Sequence, residues 1–189
     1  MRESCPLYLS LFQETLRYRS VNVAARSTIE EVMFAEKYLL KKDSMVQMPS
    51  AVVHETKSIW GEDSQTFDPQ RMLKRRINKE TTSSGEKSQK LHAAGFRAFG
   101  AAPWLCPGRH FATTEILVSV AAMLSRFDVS PVGSQGWKFP DIDRADILAS
   151  IPPPSSDIKV RVQPREGVKI SDRFAIITSV GGGTFPLPV

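Results

Sequence analysis

Helical spacing of apolar residues marks the first segment of the chain. Leu9, Phe12 and Leu16 recur three or four residues apart, which is typical of one buried face of an α-helix. Pro6 suits the first turn of such a helix, and Ser4 before it is the expected N-cap. The pattern predicts a helix of about four turns.

Strand-like alternation replaces the helical pattern after this helix. Lys42 and Asp43 are typical of a turn, and apolar and polar positions alternate on both sides of them. Segments of this kind joined by a turn predict a small antiparallel sheet. The alternating segments are residues 21–25, 29–34 and 44–48.

The longest apolar run of the chain, residues 116–124, lies within a helix predicted to begin near Pro107. Its apolar residues occupy nearly all sides of that helix, which predicts burial in a core. The run is too short to span a bilayer. Further along, residues 157–163 alternate like an edge strand, which Pro164 ends.

Three other stretches lack a long periodic pattern. Residues 50–61 predict a short helix and a loop, in which His54 and Trp60 are interpreted as structural. Residues 72–95 are rich in Lys, Arg, Ser, Thr and Gly and predict a long surface loop or a partly disordered segment. Residues 166–189 contain three consecutive glycines and predict a flexible tail.

Composition favours a soluble globular protein, since 41% of the 189 residues are hydrophobic and 24% are charged. The net charge is +5, but the basic residues are scattered and lack an aromatic stacking pattern, so nucleic acid is not an expected partner. Cys5 and Cys106 stand in different surroundings, which favours free thiols in a reducing compartment. The first residues resemble neither a signal peptide nor a membrane anchor.

Cys106 stands in a Gly/Pro-rich loop directly before the apolar helix. The free amide groups and the positive dipole end of a helix N-terminus favour an ionised sulfur there. Gly100 and Gly108 allow backbone angles and close approaches that other residues block. The loop is therefore expected to present a thiolate to a large flat ligand.

Two other roles are open to Cys106. A lone cysteine is often a small buried hydrophobe. Cys106 and His110, four residues apart, also offer half of a zinc site. The remaining ligands are hard to find, because none of Cys5, His54 and His92 is accompanied by a second ligand.

The residues around Cys106 resemble the haem-binding loop of the cytochrome P450 family, whose pattern is F-x-x-G-x-R-x-C-x-G. Phe99, Cys106 and Gly108 match this pattern, and residues 107–112 resemble its continuation in fungal members. The resemblance implies that the Cys106 thiolate is the axial ligand of the iron of haem b. It also implies that Phe99, Gly100 and Gly108 belong to the haem-binding site.

Two positions depart from the family pattern. Ala102 replaces a glycine, which disfavours a tight loop because alanine resists positive φ. Trp104 replaces a basic residue that pairs with a haem propionate in the family. Arg26 matches another position from which members reach a propionate, so the resemblance implies that Arg26 partly replaces the missing charge. The alternative for Arg26 is a solvated strand residue.

Two further motifs extend the resemblance. Glu14 and Arg17 match the E-x-x-R helix of the family, and residues 67–71 resemble its P-E-R-F element. The resemblance implies that Arg71 joins Glu14 and Arg17 in one buried cluster, where two guanidinium groups share a carboxylate. Spacing alone would make Glu14 and Arg17 an ordinary surface ion pair.

The implied fold class is mainly α with a small antiparallel β-sheet (α+β), the C-terminal portion of the cytochrome P450 fold, over residues 1–165. The implied function is that of a haem-thiolate monooxygenase, which oxidises a small organic molecule, such as a lipid or sterol-like compound, with an NADPH-dependent flavoprotein reductase as partner. Val21, Asn22 and Val23 are the implied substrate-pocket candidates. The full-length family pattern implies the cytosolic face of the endoplasmic reticulum membrane.

The second function considered is a truncated, non-catalytic remnant of such an enzyme. The family activates oxygen with an acid and an alcohol side chain on a distal helix. Residues 61–64 contain both residue types, but they stand in a loop-like context directly before the Arg71 element and are rejected as that helix. The chain alone is therefore not expected to complete a monooxygenase cycle.

Overall fold

The computed structural model describes residues 5–81, 95–101, 104–134, 136–142 and 150–168. Its chain divides into two compact units, which are described separately below. The first unit contains the described residues up to Leu105 and a short return segment, 150–152. The second unit begins at Cys106. Most of the predicted tail lies outside the described residues.

Helix α1, Pro6–Arg19, opens the first unit at the predicted place and length. Its N-cap is Cys5, which makes no side-chain capping hydrogen bond. The predicted N-cap, Ser4, lies outside the described residues. One face of α1 is buried, as its spacing predicts, and packs against the helices α2 and α4 described below. The apolar residues of that face are Leu9, Phe12 and Leu16.

The predicted antiparallel pairing follows α1. Strand β1, Val23–Ser27, pairs with β4, Met45–Pro49, so that Arg26 lies opposite Val46. A separate hairpin of β2, Val32–Phe34, and β3, Tyr38–Leu40, lies between them in the chain. The strands therefore form two two-stranded ribbons.

Three helices follow the strands. Helices α2, Ser50–Glu55, and α3, Lys57–Trp60, occupy the region where a short helix and a loop were predicted. Helix α4, Arg71–Thr81, occupies the first part of the predicted surface loop, so that prediction is wrong for these residues. The segment is polar, but Lys, Arg, Met and Glu are good helix formers, and Met72 is buried. Residues 82–94 lie outside the described part of the chain.

The second unit consists of one long helix and a strand pair. Helix α5, Arg109–Arg126, is followed by β7, Phe127–Pro131, which pairs antiparallel with β8, Val160–Pro164. Strand β8 starts three residues later than predicted and ends at the expected proline. Strand β7 was not predicted, because its short alternation leads into a polar, proline-containing stretch that hides the strand signal.

The expected burial of α5 on all sides is wrong for the described chain. Within this helix, Thr113 and Leu117 are buried. Five large apolar side chains of α5 remain exposed, because the described parts of the chain do not cover them. They are Phe111, Ile116, Val120, Met123 and Leu124. A helix with the length and hydropathy of a membrane span does not occur in the described residues.

Candidate functional site

Cys106 has a free, exposed thiol at the start of the second unit. Its carbonyl oxygen accepts hydrogen bonds from the backbone N–H of Arg109 at 3.3 Å and from the Arg109 Nη1 group at 3.0 Å. Gly108 is the N-cap of α5, and its carbonyl oxygen accepts the N–H of Ala112 at 2.9 Å. The cysteine is therefore held in a turn that leads directly into an 18-residue helix.

Gly108 does not need the special backbone freedom that the sequence suggested. Its φ of −77° and ψ of −2° are open to any residue. A Cβ atom added at this glycine would lie 3.8 Å from the Cys106 Sγ atom, in ordinary contact. The glycine thus keeps open the space beside the sulfur, which suits a flat ligand bound through that atom.

A tight hairpin precedes the cysteine in the chain. Strand β5, Gly100–Ala101, pairs antiparallel with β6, Trp104–Leu105. Gly100 has a φ of +87°, and an added Cβ would lie only 2.8 Å from the Trp104 carbonyl oxygen, so this position requires glycine. Phe99 is half-buried in the turn before β5. Ala102, the other departure from the family pattern, lies outside the described residues.

Arg26 and Trp104 meet in the first unit. The Arg26 Cζ atom lies 5.9 Å from the centroid of the Trp104 ring, within the range of a cation–π contact. The Arg26 Nη1 group also donates a hydrogen bond to the Ala25 carbonyl oxygen at 2.7 Å. Arg26 is exposed on β1, as a solvated strand arginine would be, and the Trp104 ring lies beside its guanidinium.

The structure brings Glu14, Arg17 and Arg71 together. Arg17 donates to both carboxylate oxygens of Glu14, from Nε at 2.8 Å and from Nη2 at 2.7 Å. Arg71 Nε donates to Oε1 of the same carboxylate at 3.1 Å, as does the backbone N–H of Asp68. The Glu14 side chain is 0% exposed, so this carboxylate depends on protein donors instead of water.

The remaining donors of Arg17 bind backbone carbonyl groups. Nη1 donates to the carbonyl oxygens of His54 and Ser64, both at 2.7 Å, and Nη2 donates to that of Thr66 at 3.0 Å. A buried guanidinium needs all its donors paired. Arg17 thus ties α1 to α2 and to the loop that precedes α4.

Arg71 spans the same loop from the other side. Its Nη1 group donates to the Asp63 carboxylate at 2.8 Å, and Nη2 donates to the carbonyl oxygens of Asp63 and Thr66. The hydrogen bond from Arg71 holds the pKa of the Asp63 carboxyl below its usual value. Ser64 donates its hydroxyl to the Glu55 carbonyl oxygen at 2.8 Å. Asp63 and Ser64 are thus engaged in structural bonds, in line with rejecting residues 61–64 as an oxygen-activating pair.

Two of the three substrate-pocket candidates make defined contacts. The N–H of Val21 donates to the Ser150 carbonyl oxygen at 2.9 Å. The side chain of Asn22 donates to the Arg97 carbonyl oxygen at 3.2 Å and accepts the Ser50 hydroxyl at 2.6 Å. Asn22 therefore fastens the backbone around it, and sequence reasoning missed this role because its partners are remote in the chain.

Val23, the third candidate, begins β1 and is exposed.

The alternative zinc interpretation of Cys106 and His110 has no support in the described parts of the chain, where no three His, Cys, Asp or Glu residues are grouped as metal ligands.

His54 is a buried histidine beside the arginine cluster. Its side chain is only 1% exposed, and its Nε2 atom accepts the backbone N–H of Arg97 at 2.8 Å. Its ring contacts those of Trp60 and Phe96, with centroids 6.0 and 5.8 Å away. Burial, which disfavours the charged imidazolium, lowers the pKa of His54 to about 4.

Stability is expected to fall as the pH drops from about 6.5 to about 4, because the unfolded chain binds a proton at His54 that the folded chain excludes. The full effect is on the order of 3 kcal/mol. Urea unfolding across this pH range measures it, with His54→Gln as the comparison, since that variant lacks the titrating group. Identical pH dependence in both proteins would contradict the prediction.

The family follows from comparison with known proteins. The cytochrome P450 family model matches residues 1–160. The chain belongs to the cytochrome P450 family. It is 36% identical over 189 residues to the cytochrome P450 monooxygenase nodJ of Hypoxylon pulicicidum, covering 100% of this chain and 36% of that protein. It is 36% identical over 134 residues to a cytochrome P450 monooxygenase of Gibberella zeae, covering 69% of this chain and 24% of the relative.

Solved structures show the same fold. The chain matches a cytochrome P450, CYP102L1, with a TM-score of 0.64 and 24% identity, over 86% of this chain and 32% of that structure. It matches the retinoic acid bound cyanobacterial CYP120A1 with a TM-score of 0.62 and 20% identity, over 85% of this chain and 33% of the other. The chain thus spans between 24% and 36% of the length of these relatives and structures. The predicted α+β portion of the P450 fold is confirmed.

Proposed function

We propose that this chain forms the haem-binding part of a cytochrome P450 monooxygenase, with the Cys106 thiolate as the axial ligand of haem b. The observation that carries the proposal is the Cys106 thiol, which is free and exposed and is held by Arg109 directly before α5. A thiolate-ligated haem supplies the chemistry that cleaves the oxygen–oxygen bond. The protein residues hold the sulfur and keep the space beside it open.

The residues around Cys106 have distinct tasks in this proposal. Arg109 fixes the turn through the Cys106 carbonyl oxygen, which leaves the Sγ atom free to bind a metal. Gly108 has no side chain, so the space beside the Sγ atom stays open. Gly100 permits the hairpin that leads into the site, and Phe99 lies in the turn before it. The cluster of Glu14, Arg17 and Arg71 holds the first unit together.

The proposed substrate is a small organic molecule, such as a lipid or sterol-like compound, bound by the complete P450 fold. Its candidate contacts are Val21, Asn22 and Val23, because the family pattern places the segment after the E-x-x-R helix at the substrate pocket. The specific compound depends on segments that lie outside the 189 residues in the longer relatives.

The proposed electron donor is an NADPH-dependent flavoprotein reductase. Two relatives support it, because both are named as bifunctional P450/NADPH–P450 reductases. They are ALT2 of Alternaria alternata, 27% identical over 97% of this chain, and a protein of Gibberella moniliformis, 27% identical over 89% of it. By the same family pattern, we place the complete enzyme at the cytosolic face of the endoplasmic reticulum membrane.

Haem reconstitution tests the proposal. The purified chain with haem is expected to show the red-shifted ferrous carbon monoxide band of thiolate ligation, and a band at the histidine-type position would contradict it.

With a reductase and NADPH, the 189-residue chain is expected to use the electrons to reduce oxygen to hydrogen peroxide. The reason is that it spans only part of the fold that excludes water from the haem in the relatives. Stoichiometric hydroxylation of a substrate by this chain alone would contradict that second expectation. Failure to bind haem would favour the non-catalytic remnant.

A further inference from the structure

The backbone of Arg97 is bound through both its N–H and its carbonyl group within the first unit. The N–H donates to the Nε2 atom of His54 on α2 at 2.8 Å. The carbonyl oxygen accepts the side-chain amide of Asn22 at 3.2 Å and the hydroxyl of Ser50 at 3.4 Å. These bonds fasten residues 96–98 to α2 and to the residue that follows α1. We call the Arg97 backbone and its three side-chain partners the Arg97 latch.

The surroundings of the latch are dry. His54 and Ser50 are buried, and so are Phe96 and Ala98 on either side of Arg97. The ring of Phe96 lies 5.8 Å from that of His54, measured between centroids. An N–H group that loses its acceptor in such a place can be hydrated only if its segment moves out.

The contacts fix the position of the proton on the neutral His54 ring. Nε2 accepts the Arg97 N–H, so it carries a lone pair, and the ring proton therefore lies on Nδ1. Nδ1 is buried and has no hydrogen-bond partner among the described residues. A second proton, which charges the ring, can bind only at Nε2. Protonation of His54 and loss of its bond to Arg97 are therefore one event.

The groups around His54 oppose a charged ring. Burial is the main cause that lowers its pKa to about 4, and the positive charges of Arg17 and Arg97 act in the same direction. Glu14 acts in the opposite direction, but its carboxylate already accepts hydrogen bonds from Arg17 and Arg71. The other charged groups nearby are Arg71 and Arg75 of α4, which contact the adjoining Trp60, Asp63, which pairs with Arg71, and Glu55, which follows His54 in α2.

We propose that the Arg97 latch is an acid-sensitive switch, in which protonation of His54 at Nε2 releases residues 96–98 from α2 while α1 stays folded. Residues 96–98 lie outside the helices and strands of the described chain, so the latch bonds hold them in place of a backbone ladder. A short segment held in this way can open without the rest of its unit. This local release is distinct from the loss of overall stability expected for His54.

Hydrogen exchange of the full chain, followed by NMR, tests the proposal. After correction for intrinsic exchange rates, protection of the Arg97 N–H is expected to fall about twentyfold from pH 7 to pH 5. The reason is that His54 has its ordinary pKa of 6.5 in the open segment and a pKa of about 4 in the closed one.

Urea separates local release from unfolding of the whole unit. Low urea should leave exchange at Arg97 nearly unchanged, because little surface is exposed, and should accelerate exchange at Phe12 within α1. Protection of Arg97 that does not depend on pH, or that follows Phe12 in its urea dependence, would overturn the proposal.

Variants assign the effect to His54. His54→Gln removes the titrating group, so the twentyfold change should vanish. Asn22→Ala weakens the carbonyl side of the latch, and should speed exchange at Arg97 at pH 7 while keeping the change with pH. His110→Gln is the matched control, because His110 lies on α5 in the second unit. A pH effect that persists in His54→Gln, or that disappears in His110→Gln, would contradict the proposed switch.

A second measurement needs no variant. The nitrogen NMR signals of the His54 ring at pH 7 should show the proton on Nδ1 and a lone pair on Nε2. A proton on Nε2 at that pH would overturn the proposal, because the ring could not then accept the Arg97 N–H.

Discussion

Replacing Cys106 with alanine is expected to abolish the red-shifted ferrous carbon monoxide band of the haem-reconstituted chain completely. The variant removes the proposed ligand atom, while the two hydrogen bonds to its backbone carbonyl oxygen remain possible. The turn should therefore survive without the sulfur. Difference spectra of the reduced chain with and without carbon monoxide measure the effect, and circular dichroism verifies the fold.

Cys5→Ala is the matched control. Cys5 is the other free, exposed cysteine, and its side chain makes no capping hydrogen bond to α1. This variant should keep the full band. Persistence of the band in Cys106→Ala, or its loss in Cys5→Ala, would contradict the assignment of the ligand. His110, which follows in the first turn of α5, is the alternative ligand. A histidine-type band in Cys106→Ala that disappears when His110→Ala is added would identify it.

Replacing Glu14 with alanine is expected to destabilise the chain by about 3–5 kcal/mol, because two buried guanidinium groups lose the carboxylate they share. Arg17 loses both forked hydrogen bonds, and Arg71 keeps its ion pair with Asp63 and its hydrogen bonds to backbone carbonyl groups. Soluble yield and the urea midpoint of unfolding measure the loss.

Two carboxylates serve as controls for this prediction. Glu30 is exposed in a bend before β2, although the sequence placed it on a strand face, and Glu30→Ala should change stability little. Asp63 binds the same Arg71, but its side chain is 58% exposed. Asp63→Asn should therefore cost much less than Glu14→Ala. Equal tolerance of all three changes would show that burial of the cluster does not matter.

Elements with a strong local pattern were predictable. The helical spacing of Leu9, Phe12 and Leu16 predicted α1, and the alternation of residues 21–25 and 44–48 predicted antiparallel strands where β1 and β4 lie. These signals succeed because each is contained within one element, whereas the pairing of β1 with β4 and of β2 with β3 was not predictable from them. Helix α4 was missed because its segment is polar, and its helix is revealed by helix-forming residues and by the buried Met72.

The candidate site was predicted through motifs in the right order. The E-x-x-R motif, the Arg71 element and the residues around Cys106 lie far apart in the chain. The side chains of Glu14, Arg17 and Arg71 meet in the structure. Their partners were not predictable. The carbonyl groups that bind Arg17 come from residues with no sequence signal, because any residue offers the same backbone oxygen.

The sequence by itself determined the family, the order of the motifs and the position of the cysteine proposed as the haem ligand, because these depend on residue type and spacing. Only the tertiary structure decided which donors surround Glu14, how deeply His54 is buried and which cation meets Trp104. The physical reason is that hydrogen bonds, burial and cation–π contacts act between groups that the fold brings together. Arg26 and Trp104 are 78 residues apart in the chain, and the fold of the first unit brings them within 5.9 Å of each other, measured from Cζ to the ring centroid.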